Sequence, residues 1–196
     1  MSHYYDKEVN LKSERKSFNF LFNNKKFEFM TDNGVFSKGF IDFGTQQMLN
    51  NFTESNLEGP ILDMCCGYGV VGIILKKFTS SDIYMTDVNE RAVELSKNNA
   101  KINKVDVSIY SGNLFDSLPN IKFKNILVNP PIRAGKEIVF KIYEGSYDRL
   151  LVGGELYVVI QKKQGAPSTI KKLEELFSEV TIIAREKGYY IINAVK

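Results

Sequence analysis

The sequence holds a single histidine, His3, in a polar amino-terminal stretch. That side chain is expected to be solvated, so catalysis built on imidazole has no other candidate. Cysteine is scarce as well: Cys65 and Cys66 are the only two, and they are adjacent. A disulfide framework or a zinc site needs more ligands at wider spacing, so both read as reduced, small core residues and no metal is expected. No apolar run reaches bilayer-spanning length, and the start, Met1 to Asp6, lacks the apolar core of a signal peptide. A cytoplasmic protein with no membrane partner is the expectation. A large excess of either charge is also missing. The net charge of +3 permits a nucleic-acid partner without demanding one.

What is present suits one globular domain over 1–196, since 43% of the residues are hydrophobic. Phe18, Phe20 and Phe22 alternate with Asn19 and Leu21, and after Asn23-Asn24 the pair Phe27 and Phe29 flanks Glu28. This period of two predicts an amino-terminal hairpin with one apolar face. The stretch from Gly34-Val35-Phe36-Ser37 through Asp42-Phe43-Gly44-Thr45 is glycine-punctuated and reads as loop, followed by a helix over 46–53. From Gly59 onward strands and helices alternate. Strands are predicted from Ile61-Leu62, over 83–85, 105–110, 125–128 and 155–160, and helices over 70–78, 89–101 (capped by Asn89), 137–150 and 168–177. Two closing strands, 180–184 and 189–194, surround Lys187-Gly188 and must pair antiparallel. The alternation predicts an α/β fold, a mostly parallel sheet with helices on both faces.

Two stretches carry chemistry. Asn129-Pro130-Pro131-Ile132-Arg133-Ala134-Gly135-Lys136 directly follows the predicted strand 125–128. Neither proline donates a backbone hydrogen bond, so the turn is expected to offer a side-chain amide and free carbonyls to a ligand bearing N–H groups. The second stretch is Asp63-Met64-Cys65-Cys66-Gly67-Tyr68-Gly69, between the first core strand and its helix. Together with Gly72 it fits the dinucleotide pattern GxGxxG, which alone is a weak signal. Asp87, twenty residues after Gly67, is placed to bind ribose hydroxyls in either an NAD or an S-adenosylmethionine site. Asp63 separates the two, because a carboxylate repels pyrophosphate and attracts the ammonium of S-adenosylmethionine; the alternative reading is an acid that caps the loop. Tyr68 reads either as packing over a cofactor or as lying at the surface. Asn113 and Leu114 read as an adenine contact or as a polar turn.

On these residues the chain resembles the class I S-adenosylmethionine-dependent methyltransferases, and within them the "methyltransferase small domain" family, to which guanine-N2 methyltransferases of small-subunit ribosomal RNA belong. The resemblance spans nearly the whole chain, through Gly34 to Ser37, Asp42 to Thr45, Asp87-Val88-Asn89-Glu90-Arg91-Ala92, Asn129 to Lys136, Val159 to Ala166 and Lys187 to Tyr190. It implies a Rossmann-like sheet of seven strands with the last reversed, preceded by the hairpin. It divides the chain into a hairpin and cofactor-covering segment (1–55) and a core (56–196). It also implies S-adenosylmethionine contacts from Phe43, Gly44, Thr45, Asp63, Cys65, Gly67, Tyr68, Gly69, Asp87, Val88, Asn113, Leu114 and Asn129, with Phe43-Gly44-Thr45 closing as a loop over the cofactor. Three departures stand out. Cys65 replaces a usual glycine, Asn113 replaces a usual aspartate, and the second methyltransferase-like half of larger relatives is absent from this sequence.

The catalytic expectation is that the Asn129 side-chain oxygen and the Pro130 carbonyl, stiffened by Pro131, accept the two hydrogens of an exocyclic amine. Relatives acting on adenine or glutamine carry a stacking aromatic after the prolines. Ile132 cannot stack, which turns the expectation toward guanine N2. Ile132, Arg133 and Lys136 are expected to meet the substrate, with ribosomal RNA or the small ribosomal subunit as partner and Lys162 and Lys163 extending the phosphate-binding surface. The competing readings are an adenine-N6 or protein-glutamine methyltransferase, a catalytically silent RNA-binding module, and an NAD-dependent dehydrogenase.

Overall fold

In the computed structural model, which describes residues 12–52 and 57–196, the chain opens with a hairpin of β1 (Lys16–Phe22) and β2 (Lys25–Thr31). Asn23 and Asn24 turn it with φ of 44° and 61°, the backbone a two-residue hairpin with right-handed strand twist requires. Phe18 pairs with Phe29 and Phe20 with Phe27, so the aromatics share one face as the alternation predicts. His3, the segment Met1 to Asp6 and Thr53 lie outside the described residues.

Helix α1 (Phe43–Asn51) starts earlier than its sequence pattern predicts. The Asp42 side chain accepts from Thr45 N–H at 3.1 Å, so Phe43-Gly44-Thr45 forms the first helical turn, not a loop. Then come β3 (Ile61–Met64), α2 (Val70–Lys76), β4 (Ile83–Asp87), α3 (Glu90–Ile102), β5 (Ser108–Ser111), β6 (Phe123–Val128), α4 (Lys136–Arg149), β7 (Leu150–Gln161), α5 (Ala166–Leu176), β8 (Glu179–Glu186) and β9 (Tyr189–Val195). Asn89 caps α3 as expected, accepting from Arg91 and Ala92 N–H. β5 is shorter than predicted because Val105 N–H turns back to the Ala100 carbonyl at 3.0 Å and is spent closing α3. β7 is longer and contains an irregularity: Phe123 faces Leu150, yet Asn125 faces Glu155.

The sheet order is β5-β4-β3-β6-β7-β9-β8, parallel except for β9, which is antiparallel to both neighbours. One hydrophobic cluster lies between the sheet and α1, α2, α3 and the hairpin; a second joins the other face to α4 and α5. The chain moves outward from β3 to β4 and β5, then returns to β6 on the other side of β3. Ligands of such sheets collect at the carboxyl ends beside this reversal.

Two asparagines on α3 dock the hairpin. Asn99 accepts from Met30 N–H at 2.7 Å and donates to the Met30 carbonyl at 3.0 Å; Asn103 treats Glu28 the same way at 3.1 and 2.7 Å. Residues four apart on a helix thus meet residues two apart on a strand edge, and each carboxamide stands in for a neighbouring strand. Asn99 also donates to the Tyr68 carbonyl at 2.8 Å, joining the hairpin to the glycine turn. We expect Asn99→Ala to destabilise the protein by roughly 2–4 kcal/mol, since it orphans backbone groups on two segments. Urea unfolding that shows a loss below about 0.5 kcal/mol contradicts this assignment.

Candidate active site

The carboxyl ends of β3, β4, β6 and β7 open into a cleft of about 450 Å³. Asp63, at the third position of β3, is buried and accepts from Gly72 N–H at 2.9 Å. The residue before α2, Gly69, offers no side-chain cap, so this strand carboxylate serves the helix start instead. Asp87, ending β4, accepts from Gly67 N–H at 2.8 Å and from Asn89 N–H at 2.9 Å. Burial raises the carboxyl of Asp63 to about 7, opposed by the Gly72 bond and reinforced by Asp87; burial raises that of Asp87 too, against its backbone bonds. Among the residues lining the cleft, Asp42, Asp63 and Asp87 are acidic and Arg133 alone is basic. This cleft favours a cation.

The turn between the acids is shaped by backbone conformation. Cys65 has φ of +60°, which explains the glycine usual there; its small side chain lines the cleft. Gly67, at φ +56°, has open space where a Cβ would stand, so its backbone can be approached closely. Both cysteines are free thiols.

Opposite this turn, Asn129 follows β6. Its Nδ2 donates to Thr45 Oγ1 at 3.0 Å and to Asp42 Oδ2 at 3.3 Å. A carboxylate only accepts, so the carboxamide must face Asp42 with its nitrogen, and Oδ1 is the end left for a ligand. The prolines depart from expectation. Pro131 has φ −75° and ψ 78°, and Ile132 N–H donates to the Pro130 carbonyl at 2.9 Å, an inverse γ-turn. The Pro131 carbonyl likewise accepts from Ala134 N–H at 2.9 Å. Neither carbonyl is wholly free; Pro130 keeps one lone pair.

Of the residues singled out in the sequence, Thr45, Asp63, Cys65, Gly67, Tyr68, Asp87, Asn129, Pro130, Pro131, Ile132 and Arg133 line the cleft. Val88 and Leu114 line a small adjoining hollow of about 10 Å³ that shares Cys65 and Asp87. Phe43, Gly44, Gly69, Asn113 and Lys136 line neither. Phe43 packs on Tyr189 with ring centroids 5.7 Å apart, and a Cβ on Gly44 would stand 2.6 Å from the Tyr189 ring. These two support the cleft from behind. Gly69 packs against Ile73, Met85 and Ser96. Asn113 is exposed in a turn closed by Asp116 N–H, and Lys136 lies exposed over the Phe140 ring. Tyr68 is neither a surface residue nor a simple lid. It is 4% exposed, stacks edge-on against Phe18 and Phe29, and donates to the Phe40 carbonyl at 2.9 Å.

Sequence reasoning missed Gln161, Gln164 and Tyr189 as cleft residues, along with Val35 to Ser37 and the orienting role of Asp42. A spacing signal existed for Asp42, which precedes Thr45 by three as helix caps do. The segment 33–40 is tied over the cleft by Asn89 Nδ2 to the Gly34 carbonyl at 2.9 Å and by Arg91 to the Asn33 carbonyl at 2.8 Å. Among the described residues no cluster of metal-binding side chains is found, and no helix is long and apolar enough to cross a membrane.

This strand order, with a reversed last strand and an acid closing each of the first two sheet turns, is that of the class I S-adenosylmethionine-dependent methyltransferases. Within that class the chain belongs to the methyltransferase small domain family, whose pattern matches residues 26–193. It is 50% identical to the uncharacterized protein YbxB of Bacillus subtilis over 99% of this chain and 98% of that one. It is 30% identical to ribosomal RNA small subunit methyltransferase C of Actinobacillus pleuropneumoniae, over 82% of this chain and 49% of the relative. The 16S rRNA N2 G1207 methyltransferase of T. thermophilus, solved with AdoMet and guanosine, superposes with a TM-score of 0.84 at 20% identity, over 96% of this chain and 52% of that one. The chain therefore spans about half the length of the ribosomal RNA methyltransferases it matches.

The raised carboxyl of Asp63 makes ligand-free stability depend on pH. Its folded value of about 7 exceeds the ordinary 3.8, so the folded chain holds the proton more tightly. That contribution is complete below about 4 and is lost as pH rises to about 7, at no more than about 1.4 kcal/mol per pH unit for one proton. Urea unfolding across this range should show the decline, and Asp63→Asn should reduce it, leaving the part owed to the raised Asp87 carboxyl. A slope that D63N leaves unchanged contradicts the assignment.

Proposed function

We propose that this chain methylates an exocyclic amine of RNA, with guanine N2 of small-subunit ribosomal RNA as the target its site chemistry fits best. The observation that carries this reading is the Asn129 carboxamide, held by Asp42 and Thr45 so that its oxygen is left to the cleft shared with Asp63 and Asp87. The residues fit S-adenosylmethionine: a buried acid beside a partly buried one and an open glycine backbone suit a ligand bearing an ammonium and a sulfonium. Asp63 would hold the ammonium end, Asp87 the ribose hydroxyls, and Cys65, Gly67 and Tyr68 the turn beneath them. Val88 and Leu114 would flank the adenine, with Thr45 toward the substrate side. When bound, the sulfonium supplies an activated methyl carbon that needs no acid or base to release it.

The chain's own residues then align the acceptor. Asn129 Oδ1 accepts one amine hydrogen, and the Pro130 carbonyl accepts the other through the lone pair that Ile132 leaves. These contacts favour the pyramidal nitrogen that develops as its lone pair leaves the ring system. Ile132 gives apolar contact without stacking. The acids lie inside the cleft, and apart from Arg133, which lines it, the nearby cations lie outside. Arg133, Lys136, Lys162, Lys163 and Lys187 are exposed, and none forms an ion pair among the described residues. Phosphates are therefore held at the rim while a single base enters, and a paired base must leave its stack first. The likeness to the two ribosomal RNA methyltransferases supports this substrate class.

The test is incubation with labelled cofactor and under-methylated small subunits, free ribosomal RNA and tRNA, followed by nucleoside analysis. N2-methylguanosine is expected, and N6-methyladenosine alone would overturn the substrate. Asn129→Ala should bind cofactor within a few fold of wild type yet lose roughly a hundredfold in turnover. Equal loss of both would remove Asn129 from the catalytic role. Cofactor affinity should also rise with pH through about 7, as Asp63 ionises, and D63N should abolish that rise in titration calorimetry.

A further inference from the structure

Asp42 receives donors from three segments far apart in the chain. Thr45 N–H reaches it at 3.1 Å from the start of α1, Asn129 Nδ2 at 3.3 Å from the end of β6, and the Tyr189 hydroxyl at 3.2 Å from the start of β9. Capping α1 accounts for the first contact only. The other two turn the carboxylate toward the cleft that it lines.

We propose that Asp42 is a positioning residue for methyl transfer: it fixes the Asn129 carboxamide with nitrogen inward and oxygen toward the incoming amine. This rests on the exocyclic-amine reading of the site. The two ends of a carboxamide are nearly equal in size, so packing alone does not select between them. A flipped Asn129 would present N–H groups to an amine that itself offers N–H groups, and the site would repel its substrate. Thr45 cannot prevent the flip, because a hydroxyl both donates and accepts. Asp42 can, since a carboxylate facing the amide oxygen would set acceptor against acceptor. The Tyr189 hydroxyl engages the other carboxylate oxygen, Oδ1, and so holds Oδ2 on Asn129. Donation to an anion also draws electron density toward the amide oxygen, making it a stronger acceptor.

The test is Asp42→Asn. Asparagine caps helices as well as aspartate does, so the start of α1 is retained, but an amide can now face Asn129 with either end. Turnover on the RNA substrate should fall on the order of thirtyfold or more, as for loss of an aligned donor or acceptor, while cofactor affinity stays within about threefold. In an Asn129→Ala background the same substitution should cost less than about threefold, because its effect passes through Asn129. Losses that multiply in the double variant, or a cofactor affinity that falls as far as turnover, overturn the inference. A readout independent of substrate is the side-chain amide resonance of Asn129 in 15N-labelled protein, which D42N should shift. Unchanged amide resonances overturn the proposal whatever the enzyme methylates. A wild-type protein that modifies no RNA amine but shows the shift instead sinks the substrate reading and leaves the contact standing.

Discussion

Two neighbouring carboxylates, Asp63 buried and Asp87 partly buried, with no cationic side chain against either among the described residues, govern this site. Asp87 ends β4 and Asp63 stands one residue before the end of the adjacent parallel strand β3; among the described residues, backbone N–H donors of the glycine turn and the helix starts steady their charge. Those donors compensate partly, since both carboxyls remain raised above their ordinary values. A ligand that brings positive charge relieves the remaining cost of burial. One that brings phosphate adds to it. The same arrangement couples β3, β4, α2 and α3, so the shape of the cofactor pocket and its electrostatic preference come from one set of contacts.

The acceptor half of the cleft is assembled differently. Asn129 comes from the end of β6, but its orientation depends on Asp42 at the head of α1 and, through Asp42, on Tyr189 at the head of β9. Gly44 allows this closeness, because any side chain there would meet the Tyr189 ring and Val159. The amino-terminal hairpin completes the frame. Asn99 and Asn103 fasten it to α3, and Tyr68 packs beneath its phenylalanines while holding the segment that covers the cleft. A fold with the same sheet and no such amino-terminal segment would possess the cofactor acids but lose the groups that orient Asn129.

Most of the sheet was legible in residue order. Alternating phenylalanines marked the hairpin, Asn89 marked the start of α3, and Lys187-Gly188 marked the final turn, because turn and cap chemistry acts over a few residues. The misread boundaries share a cause. Asp42 looks like part of a loop in the sequence, although its carboxylate caps Thr45 and begins α1 early. The 105–110 pattern overstates its strand because Val105 looks apolar and extended, yet its N–H is claimed by the preceding helix. The free carbonyls expected after Asn129 were an error of the same kind, since the Pro130 carbonyl is already engaged by Ile132.

By itself the sequence determined the order of strands and helices, the glycine turn and the presence of two acids and an asparagine at strand ends. Each of these follows from short-range rules of periodicity, turn preference and capping. Only the tertiary structure decided that Asp42 meets Asn129 across 87 positions and Tyr189 across 147, and that Asn99 meets Met30 across 69. Contacts of that span are selected by sheet order and by which faces bury together, and no local pattern encodes which side chain will stand opposite which.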